Sequence, residues 1–141
     1  MSIEYLRLKG FKSFGTACEF SFSEGLTAIV GPNGSGKSNI LDALRWILGE
    51  TSPGALRIVR QSDLIFQGSA TVEPSKEADV ALKLKEKEKE KGDAGASVQL
   101  RKQYTAEGGA VLHVDGVKVR LQDLADVKAR FMLEGDTFAF I

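Results

Sequence analysis

Residues 3 to 8 and 18 to 22 alternate apolar with polar positions, the pattern of strands with one buried face, and Phe20 and Phe22 share a face of the second run. Gly15 lies in the connection, so the two runs are expected to pair antiparallel. Leu26 to Val30 is almost continuously apolar, as a strand covered on both faces requires. From Lys37 the period changes. Ile40, Leu41, Leu44, Ile47 and Leu48 fall on one face of a helix, Gly49 stands where a left-handed C-terminal cap would end it, and Pro53-Gly54 marks the loop beyond. Trp46, on this helix, is expected in the core.

Strand alternation returns over residues 78–84 through Val80, Leu82 and Leu84, and over 98–104 through Val98 and Leu100 toward Lys102 and Tyr104. Between them, Lys85 to Lys91 alternates lysine with glutamate. Like charges at every i,i+4 pair oppose a helix, so the run reads as a solvated hairpin extension over about residues 83–97. Gly108-Gly109 and Asp115-Gly116 are tight-turn signals, the second flanked by Val111–Val114 and Val117–Val119, and predict a further hairpin. Leu121, Leu124, Ala125, Lys128 and Phe131 share helical spacing, with Asp123 early and Lys128 and Arg130 late to suit the dipole, so a helix is expected from Leu121 to about Leu133.

The chain's 141 residues suffice for a single domain over 1–141 with its own core. No apolar run approaches the roughly 18 residues of a membrane span, and the N-terminus alternates where a secretory signal would be continuously apolar. The chain is therefore expected to stay in the cytoplasm, without membrane contact. Cys18 is the sole cysteine, which excludes an intrachain disulfide or a cysteine metal cluster and leaves a buried or half-buried strand residue as its ordinary reading. Nineteen basic residues balance nineteen acidic ones, so any nucleic-acid contact would need a local patch.

Chemistry enters at Gly31-Pro32-Asn33-Gly34-Ser35-Gly36-Lys37-Ser38, a complete phosphate-binding loop between an apolar strand and a helix. A polyphosphate must be approached without bulky side chains. Gly34 and Gly36 let successive backbone N–H groups point inward, Pro32 and Asn33 pre-bend the turn, Asn33 and Ser35 count with the glycines among the nucleotide-binding residues, and the following helix offers its free N–H groups and positive dipole end. Lys37 supplies a point charge for the β- and γ-phosphates, and the Ser38 hydroxyl is suited to Mg²⁺. An unliganded glycine-rich turn would account for the glycines but not for Lys37 and Ser38. Hydrolysis additionally needs a carboxylate for Mg²⁺ and a group that orients water. Asp115 is the one tempting carboxylate, but Gly116 and a returning strand make it a turn residue, and His113 is out of phase with Leu112 and Val114, as a surface strand residue would be. No catalytic residue is assigned from these positions.

Gly10-Phe11-Lys12-Ser13-Phe14, the run Gly31 to Glu50 with its Asn39-Ile40-Leu41-Asp42-Ala43-Leu44-Arg45-Trp46 helix, Leu56-Arg57, and Asp63-Leu64-Ile65-Phe66-Gln67-Gly68-Ser69 together resemble the N-terminal part of the head domain of SMC proteins. The likeness is dense over about residues 1 to 70 and looser beyond. Relatives of the RecF and RecN type share the loop with less of the rest. The resemblance implies an α/β fold with α+β character, a P-loop ABC-ATPase-like half-domain in which an antiparallel β lobe packs on the P-loop strand and helix. It implies ATP and Mg²⁺ as cofactors. It also implies that the glutamine loop lies just beyond Ile141, and that the signature motif, the Mg²⁺ aspartate and the catalytic glutamate belong to a C-terminal segment of the same head. The implied partners are that segment, a second head in a homodimer, DNA and kleisin-type subunits. By position, Asn39 would lie beside the Mg²⁺–phosphate site, Lys12 and Ser13 would approach the nucleotide, Arg57 would be the arginine-loop residue, and Arg60 and Arg120 would be basic positions facing DNA. The lysine–glutamate run and Leu133-Glu134-Gly135-Asp136 depart from the family pattern. A free-standing nucleotide-sensing module, a DNA-repair relative of the RecF/RecN type, or a small complete P-loop kinase or GTPase using Asp115, are the alternatives.

Overall fold

The computed structural model describes residues 2–21, 37–85 and 97–131. The expected strand at 26–30, the loop residues 31–36, most of the lysine–glutamate run and the end of the last helix lie outside the described residues.

Six strands, β1 (Ser2–Lys9), β2 (Cys18–Ser21), β3 (Glu77–Lys85), β4 (Ser97–Thr105), β5 (Gly109–Val114) and β6 (Val117–Val119), form one sheet in the order β2-β1-β3-β4-β5-β6, every neighbouring pair antiparallel. Register follows from the alternation, because a slip of one residue would turn every apolar side chain to the wrong face. Phe20, Leu6, Leu82, Leu100 and Val114 face one another across five strands. Leu6, Leu82 and Leu100 are fully buried, each contributing about 1.5–3 kcal/mol by leaving water. The adjoining row runs Cys18, Leu8, Val80, Lys102, Leu112, Val119 and places one charge among apolar neighbours.

The helix α1 (Lys37–Ile47) packs against β3 and β4 on this face. The hydrophobic spacing predicts one buried stripe; Ile40, Leu44, Ile47 and Leu48 are buried as expected, with Trp46, and Leu41 is half-buried, but Asp42 and Ala43 are buried as well. The cause is a second cover: the residue 10–14 turn puts Phe11 against Trp46, ring centroids 5.6 Å apart, and Leu56, Ile58 and Leu64 join the same core. Gly49 ends the helix at φ +105, with the Glu50 N–H donating to the Arg45 carbonyl.

Asp115 and Gly116 both take positive φ, +51 and +83, in the two-residue turn between β5 and β6 that the sequence predicts. The last helix differs from expectation. Its first turn, Leu121–Asp123, is 3₁₀, and only Leu124–Phe131 is α-helical (α2). The tighter winding moves the buried face to Leu124 and Val127, while Leu121, Ala125 and Lys128 of the expected stripe are exposed. Among the described residues no helix is long and apolar enough to cross a membrane.

Candidate functional site

Two strained turns converge on α1. In the first, Gly10 adopts φ +67 with its Cα so close to the Glu77 carbonyl that no side chain would fit. Phe11 bridges to Phe14 and Ile65, and the Lys12 N–H donates to the Leu64 carbonyl at 2.8 Å. Thus held, Lys12 takes φ +47, and its Nζ donates to Asp42 Oδ2 at 2.7 Å and to the Leu56 carbonyl at 2.5 Å. In the second, the Arg57 N–H donates to the Gly54 carbonyl and the Ile58 N–H to the Pro53 carbonyl, winding a short loop with Arg57 at φ +56. Non-glycine residues at positive φ are uncommon and cost energy. Here both of them carry a cation to the same carboxylate.

Arg57 donates from Nη2 to Asp42 Oδ2 at 2.6 Å and from Nε to the same oxygen at 3.1 Å, and Nη2 also reaches Asn39 Oδ1 at 3.0 Å. Asn39 Nδ2 in turn donates to Ser13 Oγ at 2.7 Å. Arg45 Nη1 lies 3.6 Å from Asp42 Oδ1. Asp42 is wholly buried and shared by Lys12, Arg45 and Arg57, an arrangement that removes the penalty a lone buried carboxylate would carry. The hydrogen bond to Asp42 raises the Arg57 pKa above its ordinary value.

This network therefore joins Lys12, Ser13, Asn39 and Arg57, four residues the sequence singles out from segments far apart, and ends beside the N-terminal turn of α1. That turn opens with Lys37, Ser38 and Asn39, carries no acidic residue, and exposes Ser38. Asn33, Gly34, Ser35 and Gly36 lie outside the described residues. Asp42, the hub, escapes sequence reasoning. Its signal is the lone acid of the helix, set between Leu41 and Ala43, a residue that must find a cation if buried.

Arg60 and Arg120 stand elsewhere, in matching roles. Each precedes a 3₁₀ turn, Gln61–Leu64 or Leu121–Asp123, its N–H donating to the carboxylate three residues on, 3.0 Å to Asp63 Oδ2 and 3.0 Å to Asp123 Oδ2. The backbone N–H groups of Arg60 and Val59 hold the Asp63 pKa below the usual range, and the Arg120 side chain and N–H do the same for Asp123. Both arginine side chains are exposed, at 80% and 73%, and paired to those acids, Nε 3.8 Å from Asp63 Oδ1 and Nη2 3.1 Å from Asp123 Oδ1.

Asp115 is occupied as a turn residue, its Oδ1 accepting from the Gln99 N–H at 2.9 Å. His113 is half-buried rather than on the surface, because β6 flanks it. Its cross-strand neighbours are Arg101 and Lys118, and its buried Nδ1 has no hydrogen-bond partner among the described residues. Nothing there orients it as a base. Among the described residues no group of three or more His, Cys, Asp and Glu side chains could hold a metal ion.

The family model described as RecF/RecN/SMC N terminal domain matches residues 2–137. The chromosome partition protein Smc of Halothermothrix orenii is 38% identical over the whole of this chain, which spans 12% of that protein's length. An SMC ATPase structure from work on ATP-driven dimerization and DNA-stimulated activation superposes with a TM-score of 0.84 at 37% identity, covering 99% of this chain and 84% of that one. The Smc head of Pyrococcus furiosus bound to the C-terminal domain of ScpA gives 0.80 at 36%, covering 96% and 34%. RecF with ATP shares the fold alone, at 0.63 and 21% identity. With its antiparallel lobe packed on the helix that follows the phosphate loop, the chain is an SMC-head-like α/β half-domain and belongs to the RecF/RecN/SMC N-terminal domain family.

Proposed function

We propose that this chain is the ATP-binding N-terminal half of an SMC head ATPase, which acts in chromosome condensation and segregation through ATP-dependent engagement of two heads on DNA. The observation that carries the reading is the convergence of Lys12, Ser13, Asn39 and Arg57 beside the acid-free first turn of α1, where the phosphate loop ends. An N-terminal helix turn with Lys37 and Ser38 and no carboxylate suits a polyphosphate and disfavours a cation on its own. Mg²⁺ fits this donor set only together with the phosphates. Ser38 would hold it, and the ion would supply charge neutralisation at the β- and γ-oxygens.

Hydrolysis requires groups that the described residues do not offer: Asp115 is tied to its turn, and Asp42 is buried among cations. The resemblance to SMC heads supports assigning the Mg²⁺ aspartate and the attacking water's partner to a C-terminal segment of the same head, and Arg57 to the arginine-loop role. Smc heads have been solved bound to ScpA, which supports a kleisin-type partner here. Arg60 and Arg120 are exposed enough to meet DNA phosphates, each by exchanging its own aspartate for a phosphate. A cytoplasmic, nucleoid-associated location goes with this role.

Equilibrium titration with Mg·ATP tests the binding half of the proposal. Saturable binding that Lys37→Ala weakens by at least about tenfold supports it, since one phosphate-bound charge is worth that much. Equal binding by wild type and Lys37→Ala would overturn it.

A further inference from the structure

Asp42 takes no part in the chemistry assigned above, yet it holds two of the cations that chemistry uses. Lys12 and Arg57 point at the same buried carboxylate, from backbone conformations that L-residues avoid, and Arg57 spends both Nε and Nη2 on Asp42 and Asn39. The Arg57 side chain is nevertheless half exposed, so it can leave without unpacking the core. With Arg45 as a third cation, Asp42 does not become an unpaired buried charge when Arg57 departs.

We infer that Asp42 is a positioning residue that parks Arg57, an internal carboxylate competing with an incoming phosphate for the same guanidinium. A polyphosphate carries more charge than one carboxylate, so nucleotide would draw Arg57 away from Asp42 and let its turn relax. Asn39, bonded to both Ser13 and Arg57 within the first turn of α1, is placed to couple the exchange to the phosphate end of the helix. The affinity for nucleotide is then lower than the phosphate loop alone would give, because binding must first break the parked pair. This inference rests on the ATP-binding reading.

Mg·ATP affinity would be measured in the full-length protein for wild type, Lys37→Ala, Asp42→Asn, Arg57→Ala and the Asp42→Asn/Arg57→Ala double variant. Asp42→Asn is expected to tighten binding about fivefold to tenfold, and the gain should vanish when Arg57 is absent. Unchanged or weaker binding in Asp42→Asn overturns the inference. So does an equal gain in the double variant, which would mean that the carboxylate acts only through its field. Wild type and Lys37→Ala report separately on ATP binding itself, so loss of that reading is distinguishable from loss of this one. If Asp42→Asn does not fold, Arg57→Lys replaces it, since lysine keeps the charge for a phosphate but cannot span Asp42 and Asn39 together. Affinity at or above wild type supports parking, and a fall of about fivefold or more contradicts it.

Discussion

Arg57 and Asp42, fifteen residues apart in sequence, form a two-nitrogen ion pair around a carboxylate with no solvent exposure, and Lys12 closes the same carboxylate from the other side. Three segments of the chain, the 10–14 turn, α1 and the 52–58 loop, are thereby tied at one point.

The order of cost on breaking this point is asymmetric. Asp42→Ala leaves Lys12, nearly buried, without a counter-charge and should destabilise by about 3–5 kcal/mol. Lys12→Ala leaves Asp42 two other cations and should cost about 1–2 kcal/mol, and Arg57→Ala, half exposed, about 1 kcal/mol or less. Urea unfolding of the three variants checks the ranking; Arg57→Ala costing as much as Asp42→Ala would contradict it.

Lys102 supplies a pH-dependent test. Its Nζ donates to the Trp46 carbonyl at 3.0 Å, at the C-terminal end of α1, and lies 4.8 Å from the Trp46 ring centroid, a favourable place for a cation. Burial nevertheless lowers its pKa from 10.5 to about 8. Below pH 8 both folded and unfolded chains hold the proton and the desolvation cost is present in full. Between 8 and 10.5 the unfolded chain binds more protons than the folded one, so this group's contribution to stability rises with pH. The stability of wild type relative to Lys102→Met is expected to improve by about 1–3 kcal/mol from pH 7 to pH 10. A difference that stays flat with pH would contradict the assignment.

Much of this architecture is legible in the sequence because strand alternation is a short-range signal. Leu6, Leu82 and Leu100 announce their face, and Asp115-Gly116 announces its turn. The 3₁₀ start at Leu121 is not legible, since Arg120 and Asp123 give no periodic cue that the winding is tighter there. Nor is Asp42: helical spacing shows which residues share a face but not that a second layer, Phe11 with the 51–66 segment, covers the other side. Lys12, Ser13, Asn39 and Arg57 are legible as candidates only through family resemblance, and their mutual contacts come from the fold.

Gly10→Ala tests the first turn. An added Cβ meets the Glu77 carbonyl oxygen inside van der Waals contact at a positive φ, so the variant should lose about 2–4 kcal/mol. Because the displaced turn carries Lys12, nucleotide affinity should fall with it in titration calorimetry. A variant as stable as wild type would refute the geometry of the 10–14 turn.

Asp115→Asn tests the kinase or GTPase alternative. Asparagine accepts both the positive φ and the Gln99 N–H, so stability should stay within about 0.5 kcal/mol of wild type and nucleotide turnover of the assembled head should be unchanged. A hundredfold loss of turnover would make Asp115 the missing Mg²⁺ carboxylate.

Steady-state ATP turnover of this chain alone, and again after addition of the C-terminal segment of the same head, measures the central claim. Negligible turnover alone, with activity appearing on reconstitution and disappearing in Lys37→Ala, is the predicted result. Substantial turnover by the lone chain, abolished by Lys37→Ala, would show that its site is complete and that the half-site account is wrong.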